Sequence, residues 1–306
     1  MTSITPIQFE HVVNEIHKDH FLSRENNVKL LSKYSPEELD RIYLDLEAIR
    51  QETFKTAHKA SADGRVYAVT AGGPGAGKST LQENTLGFTT DNTPNRLVTD
   101  TNTFAYVDPD RRALFFMKNT FVQDVTHKTR TPTEAYNYWR DASNFIANTL
   151  LALALTNGYD VAHGTTMTAP APIIDKIMDT IHKTYGYSIR MLHVTAPDDI
   201  RDASIKKREG LGIVQSTEED FRVKGKAFFE RLPRYVAHAD TLEFYYRDSM
   251  QNCTLTAIKT TTGLQVINAV ALAAIEKLHD EACGTGYWQR TLQPSPIASS
   301  SSAARP

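Results

Sequence analysis

The chain has 306 residues, a formal net charge of -2 and a hydrophobic share of 41%, values of an ordinary globular chain with room for one large or two modest domains. There is no basic excess of the kind that marks a nucleic-acid binder, no apolar run near the roughly 20 residues a membrane span needs, and no basic start and apolar centre of a secretory signal. Cys253 and Cys283 are the only two cysteines, too few for a disulfide framework and without metal-ligand spacing, so a reducing, cytoplasmic location is expected.

Residues 1–60 predict a helical N-terminal segment. Stretch 9–21 places apolar residues at helical spacing, and 35–54 opens on Ser35 as a cap, Pro36 in the first turn and Glu38 three residues after the cap. No chemistry is legible there, and a supporting role for the core follows. From residue 65 onward, short apolar runs alternate with helix-like stretches. Strands are expected at 65–70, 96–99, 159–163, 188–194, 241–246 and 254–259, and helices near 78–86, 132–156, 172–184, 198–209, 217–231 and 265–281. This alternation predicts an α/β fold, a mostly parallel sheet with helices on both faces, over residues 61–290. The last two strands, with only 247–252 between them, predict an antiparallel hairpin at the sheet edge. The serine-rich tail 291–306 is expected to be disordered.

The chemistry concentrates in Gly72 to Ser79, G-G-P-G-A-G-K-S, which matches G-x-x-x-x-G-K-[ST] in full between an expected strand and an expected helix. Gly72, Gly73, Pro74, Gly75, Ala76, Gly77, Lys78, Ser79 and Thr80 form a loop whose N–H groups and following helix terminus suit anionic oxygens. Lys78 is expected to reach the β- and γ-phosphates of ATP, and the Ser79 hydroxyl to hold Mg²⁺. The guanine-reading N-K-x-D and the switch D-x-x-G of a GTPase are both missing. Asp100, closing "RLVTD", is placed at the expected carboxyl end of the second strand, where ligands of open α/β sheets sit. It is the candidate Mg²⁺-side acid and the candidate acceptor of a substrate proton.

The loop, "TDTNTF" (99–104), "NGYDVAHGTT" (157–166), "VTAPDDIRDASIKKREG" (194–210) and "FYYRD" (244–248) resemble, in order and spacing, the zeta toxin family of P-loop kinases. The resemblance covers roughly 65–250. It implies a P-loop kinase-like core that transfers the γ-phosphate of ATP to a hydroxyl on a nucleotide-containing small molecule. It suggests UDP-N-acetylglucosamine, as for bacterial zeta toxins, or NAD, as for related plant-pathogen effectors. A role as toxin or effector, a small antitoxin protein as partner and delivery to another cell belong to the same implication. Position by position, the family's phosphate lysine falls on Lys78, its Mg²⁺ hydroxyl on Ser79, and the arginine that closes over the transferred phosphate on Arg208.

Three positions depart from the family pattern. Its D-x-D around the second strand reads Asp100-Thr101-Asn102, which leaves an amide at the base position, so the base is expected to be Asp100, with Asp108 and Asp110 of "VDPDRR" as alternatives. Its second arginine falls near Gln215, with Arg222 or Lys224 as substitutes. Its Glu-Gly-Thr is His163-Gly164-Thr165 here. Asn102, His163 and Thr165 are candidate acceptor contacts, as are Asp141 and Asn144, which share a helix face with Asn148. Lys206, Lys207, Arg222, Lys224 and Lys226 are expected to supply positive charge for an acceptor that carries phosphates. The locally basic 224–234 also leaves open a polynucleotide 5′-kinase, and Asn102 a non-catalytic ATP-binding protein.

Overall fold

The computed structural model describes residues 29–61, 64–86, 103–209 and 218–292, with the Arg208 side chain outside that set. Helix α1 (Pro36–Phe54) starts where its sequence places the cap. Ser35 accepts from the Glu38 N–H, and the Glu38 carboxylate accepts from the Ser35 N–H. Its buried face carries Ile42, Leu46 and Ile49, and its buried Asp45 accepts from the Asn119 N–H and the Thr120 hydroxyl. That carboxylate fastens the helix to the turn at 118–120. The next elements are β1 (Val66–Ala71), α2 (Lys78–Leu86), β2 (Ala105–Val107), α3 (Phe121–Thr126), α4 (Pro132–Asn157) and β3 (Val161–His163). The chain continues through α5 (Ala171–Asp179), β4 (Ser188–Thr195), α6 (Asp198–Glu209), α7 (Glu218–Glu230), α8 (Leu232–His238) and β5 (Thr241–Arg247). It closes with β6 (Cys253–Thr260), β7 (Gly263–Val266), α9 (Ala269–Cys283) and α10 (Tyr287–Leu292).

The strands form one sheet in the order β2-β3-β1-β4-β5-β6-β7. The first five run parallel, and β6 and β7 add to the edge antiparallel. Alternation along each strand sorts its side chains to two faces. Tyr67, Val69, Ile189, Met191, Leu242 and Phe244 enter a large core shared with α1, α4, α7 and α9. On the opposite face Leu192, Val194 and Tyr245 pack with Leu81 of α2. Among the described residues helix α4 is the longest, bounded by a Thr131/Glu134 capping box and by Gly158 at φ 73°, and it buries Trp139, Phe145, Ile146 and Leu150. The expected α/β architecture and its antiparallel edge are therefore met.

Two differences have physical causes. The strand expected at 96–99 lies outside the described residues, and the second described strand is Ala105–Val107. It is three residues long and fully buried, and it is held in register by pairing with Val161–His163. The helix expected from 265 begins at Ala269, where the Asn268 side chain caps the Ala271 N–H. Residues before it instead turn at 261–262, enter β7 at Gly263 (φ 139°) and pair back on β6 as an edge strand whose four residues are all exposed.

Candidate active site

The phosphate loop leaves β1 at Ala71 and wraps into α2. Gly75 and Gly77 lie at φ 78° and 91°, backbone that a residue with a Cβ adopts only under strain. Each also touches an arginine: a Cβ at Gly75 would enter the Arg201 carbonyl, and one at Gly77 would lie 2.9 Å from Arg247 Nη1. Lys78 Nζ donates to Gly73 O at 3.0 Å, so the lysine head sits inside its own loop. A cleft of about 650 Å³ opens beside it, lined by Lys78, Ser79, Arg111, Lys207, Tyr245 and Arg247 among others.

Arg201 and Arg247 hold the loop by its carbonyls. Arg201, 4% exposed, donates to Pro74 O (3.0 Å), Phe221 O (3.1 Å) and Asp198 Oδ1 (2.6 Å). Burial pulls its guanidinium below the usual arginine range, and Asp198 opposes the shift. Arg247 donates from Nη1 to Gly75 O (3.2 Å) and Ser204 Oγ (2.9 Å), and from Nη2 to Met250 O (3.0 Å). Neither was singled out from the sequence. The usable signal was position: Arg247 ends β5 and Arg201 lies in the first turn of the helix that follows β4, both on the side of β1 away from β3.

The acids stand at the end of β2. Asp108 follows the strand directly, and its Oδ1 accepts from the Asp110 and Arg111 N–H groups, both at 2.8 Å. Burial raises its pKa above the ordinary value, while those bonds and the charges of Arg111 and Arg140 oppose the rise. Asp110, two residues on, accepts from the Tyr136 hydroxyl at 3.3 Å and from Arg140 Nη1. Both partners lie on the face of α4 that looks at this turn. Arg111 pairs with Glu83 of α2, which ties the acid turn to the helix of the phosphate loop. The described second strand is thus followed by Asp108-Pro109-Asp110, a D-x-D that Asp100-Thr101-Asn102 does not supply.

The loop after β3 packs against the end of β1. Thr165 is anchored to the end of β1, since its N–H donates to Thr70 Oγ1 and its carbonyl accepts from the Thr70 hydroxyl. Met167 lies at φ 53°, unusual for a side-chain-bearing residue, and Tyr235 Oη donates to its carbonyl at 2.7 Å. His163 Nδ1 sits 2.6 Å from the Tyr67 hydroxyl. Burial lowers the His163 pKa to about 4 and raises that of Tyr67. Burial thus favours the neutral form of both groups, which share this one hydrogen bond.

The sequence-derived candidates distribute unevenly. Lys78, Ser79 and Thr80 line the cleft. Asp100, Asn102 and Gln215 lie outside the described residues, and Arg208 is placed only as a residue in the last turn of α6. The Asp141 carboxylate pairs with Lys33 at 2.7 Å, and it is Arg140, not Asp141, that reaches the acid turn. Asn144, one turn beyond Arg140, is half-buried. The basic group expected to face the acceptor is not assembled. Lys206 pairs with Asp202, Arg222 with Glu219, Lys224 with Asp220 and Lys226 with Glu230, each within its own helix, and Lys207 alone of the five lines the cleft.

Among the described residues no helix is long and apolar enough to cross a membrane. The AAA domain family matches residues 68–231, just over half of the chain. No curated protein matches the sequence. The fold is similar to that of AvrRxo1-ORF1:-ORF2 solved with ATP, at TM-score 0.57 and 13% identity over 90% of this chain and 79% of that one. It is also similar to a structure from the PezAT chromosomal toxin–antitoxin system of Streptococcus pneumoniae, at TM-score 0.50 and 14% identity over 83% and 99%. The zeta-toxin resemblance drawn from the sequence is met at the level of fold.

Proposed function

Because this chain belongs to the AAA domain family, with its phosphate loop intact, we propose that it is an ATP-dependent phosphotransferase that phosphorylates a hydroxyl on a nucleotide-containing small molecule. The observation that carries the proposal is the pairing of the Lys78 cleft with the Asp108-Pro109-Asp110 turn through Arg111 and Glu83. A phosphate-holding loop alone serves binding. A carboxylate pair tied to the helix of that loop can serve an acceptor hydroxyl.

In this reading the loop N–H groups and Lys78 hold the phosphate chain of ATP. Mg²⁺ fits the donor set, because a hard cation of this kind takes one or two protein oxygens and completes its shell from phosphates and water. Ser79 supplies the hydroxyl, and the ion would neutralise charge on the β- and γ-oxygens. Asp110 takes the proton of the acceptor hydroxyl as its oxygen bonds to the γ-phosphorus and the bond to the β-phosphate oxygen breaks, releasing ADP. Asp108 carries the backbone of that turn. Asp100 is the other carboxylate offered for the base, and Arg208 is proposed to meet the charge on the transferred group. His163, held neutral by burial, suits a hydrogen bond to the acceptor and not proton abstraction.

NAD and UDP-N-acetylglucosamine are the acceptors to test first. The solved AvrRxo1-ORF1:-ORF2 structure contains ATP, and PezAT is a toxin–antitoxin system, which supports a toxin or effector role and a small protein partner for this chain. A polynucleotide acceptor is disfavoured by the pairing of Lys224, Lys226, Arg231 and Arg234 with acidic neighbours. The experiment is incubation of purified protein with labelled ATP, Mg²⁺ and a metabolite extract, with NAD, UDP-N-acetylglucosamine and an oligonucleotide run separately. Label on a nucleotide-containing metabolite, lost in Lys78→Ala, supports the proposal. Label on the oligonucleotide alone, or ATP binding with no transfer to any acceptor, rejects it.

A further inference from the structure

Gly225 stands in the middle of α7, a buried position at which glycine costs a helix about 1 kcal/mol relative to alanine. The phosphate loop supplies the reason. A Cβ at Gly225 would lie 2.7 Å from Arg201 Nη2, and a Cβ at Gly73 would lie 2.8 Å from the same nitrogen. Two glycines on separate elements thus leave room for one guanidinium. That guanidinium bonds Pro74 O of the loop and Phe221 O of α7, stacks 4.1 Å from the Phe221 ring centre, and pairs with Asp198 on its own helix. The Arg201 carbonyl meanwhile closes against Gly75.

We propose that Arg201 is a positioning residue that locks the phosphate loop to helix α7, and that Gly225 is glycine in order to admit it. The loop's carbonyls must point away from the cleft for its N–H groups to point in. A cation fixed behind Pro74 O holds that carbonyl outward. Because the same cation accepts its geometry from α7, any displacement of α7 reaches the phosphate site through Arg201. Arg201 does not itself line the cleft, although it packs against Gly75, which does, so it acts on the cleft through the loop.

The inference rests on the nucleotide-binding reading for its functional consequence, but its structural half is testable without nucleotide. In the nucleotide-free protein, amide hydrogen exchange at residues 73–77 is expected to accelerate in Arg201→Ala, in Arg201→Lys and in Gly225→Ala. With ATP, Arg201→Ala should weaken binding about tenfold or more, the scale of a lost charged hydrogen bond. Gly225→Ala should weaken binding severalfold while its thermal midpoint stays near wild type or rises, because the helix gains from alanine what it loses at the guanidinium. The deciding measurement is the double variant. With Arg201 already alanine, Gly225→Ala has no side chain to displace, and its effect on exchange and on ATP affinity should vanish. Equal effects of Gly225→Ala in both backgrounds, or unchanged exchange at 73–77 in all variants, would overturn the inference. Failure of the wild-type protein to bind ATP would instead reject the nucleotide reading and leave the exchange result to decide the inference.

Discussion

Lys78 bonds a carbonyl of its own loop, Gly73 O, at 3.0 Å. An arriving phosphate offers that ammonium a charged partner in place of a neutral one, a stronger bond. Lys78→Ala is therefore expected to lower phosphotransfer by at least about 100-fold with little loss of stability, checked by turnover and by thermal melting of the same sample. The acids make a sharper test. Asp110→Asn keeps an acceptor for Tyr136 and removes the proton acceptor, so kcat should fall about 10² to 10⁴-fold. Asp108→Asn should weaken the turn and cost less in kcat. If turnover survives Asp110→Asn and collapses in Asp100→Asn, the base lies on the residue first read from the sequence. The loop residues were legible because their spacing is the chemistry. Arg201 and Arg247 were not, because their bonds to Pro74 and Gly75 span 127 and 172 residues, and no local pattern carries such a contact.

At the scale of elements, the long helices were readable to within a few residues. Both α1 and α4 announce themselves by a capping box and a proline in the first turn. Thr131→Ala should accordingly cost about 1 kcal/mol, and Leu150→Ala, deep in the α4 face, about 2–5 kcal/mol, both measurable by denaturant unfolding. The short strands were harder. Ala105–Val107 is too brief for a period of two to register, and what makes it a strand is the neighbouring Val161–His163. Strand β7 buries nothing, so its last residues, Gln265 and Val266, read as the start of the apolar helix that follows.

The whole molecule carries a titratable pair inside its core. His193 of β4 and His279 of α9 are both 0% exposed, their ring centres are 5.2 Å apart, and the Nε2 of each lacks a hydrogen-bond partner. Burial pushes His279 down to about 4 and His193 well below its ordinary value. An unfolded histidine titrates near 6.5. Between those limits the unfolded chain binds protons that the folded one refuses. The stabilising contribution is therefore complete above about pH 6.5 and is lost as pH falls toward 4, at up to about 1.4 kcal/mol per unit for each histidine. Urea unfolding at pH 7, 6 and 5 should show the decline, and His279→Phe should reduce its slope.

The core described above also defines what can be excised. The family match spans residues 68–231, yet the buried cluster continues through Ile42, Leu46 and Phe54 on one side and Phe244, Ile275 and Trp288 on the other. A fragment cut at the match boundaries would lose β5, β6 and α9 together with α1, stripping the cover from Trp139 and turning the paired edge of β4 into an open one. Bare strand edges beside exposed aromatic surface recruit other chains. A grafted or minimised version trimmed to the shared segment should precipitate when expressed, whereas one that keeps residues 29–292 retains the whole of the cluster described above, Leu30 and Leu31 included, and should stay in solution.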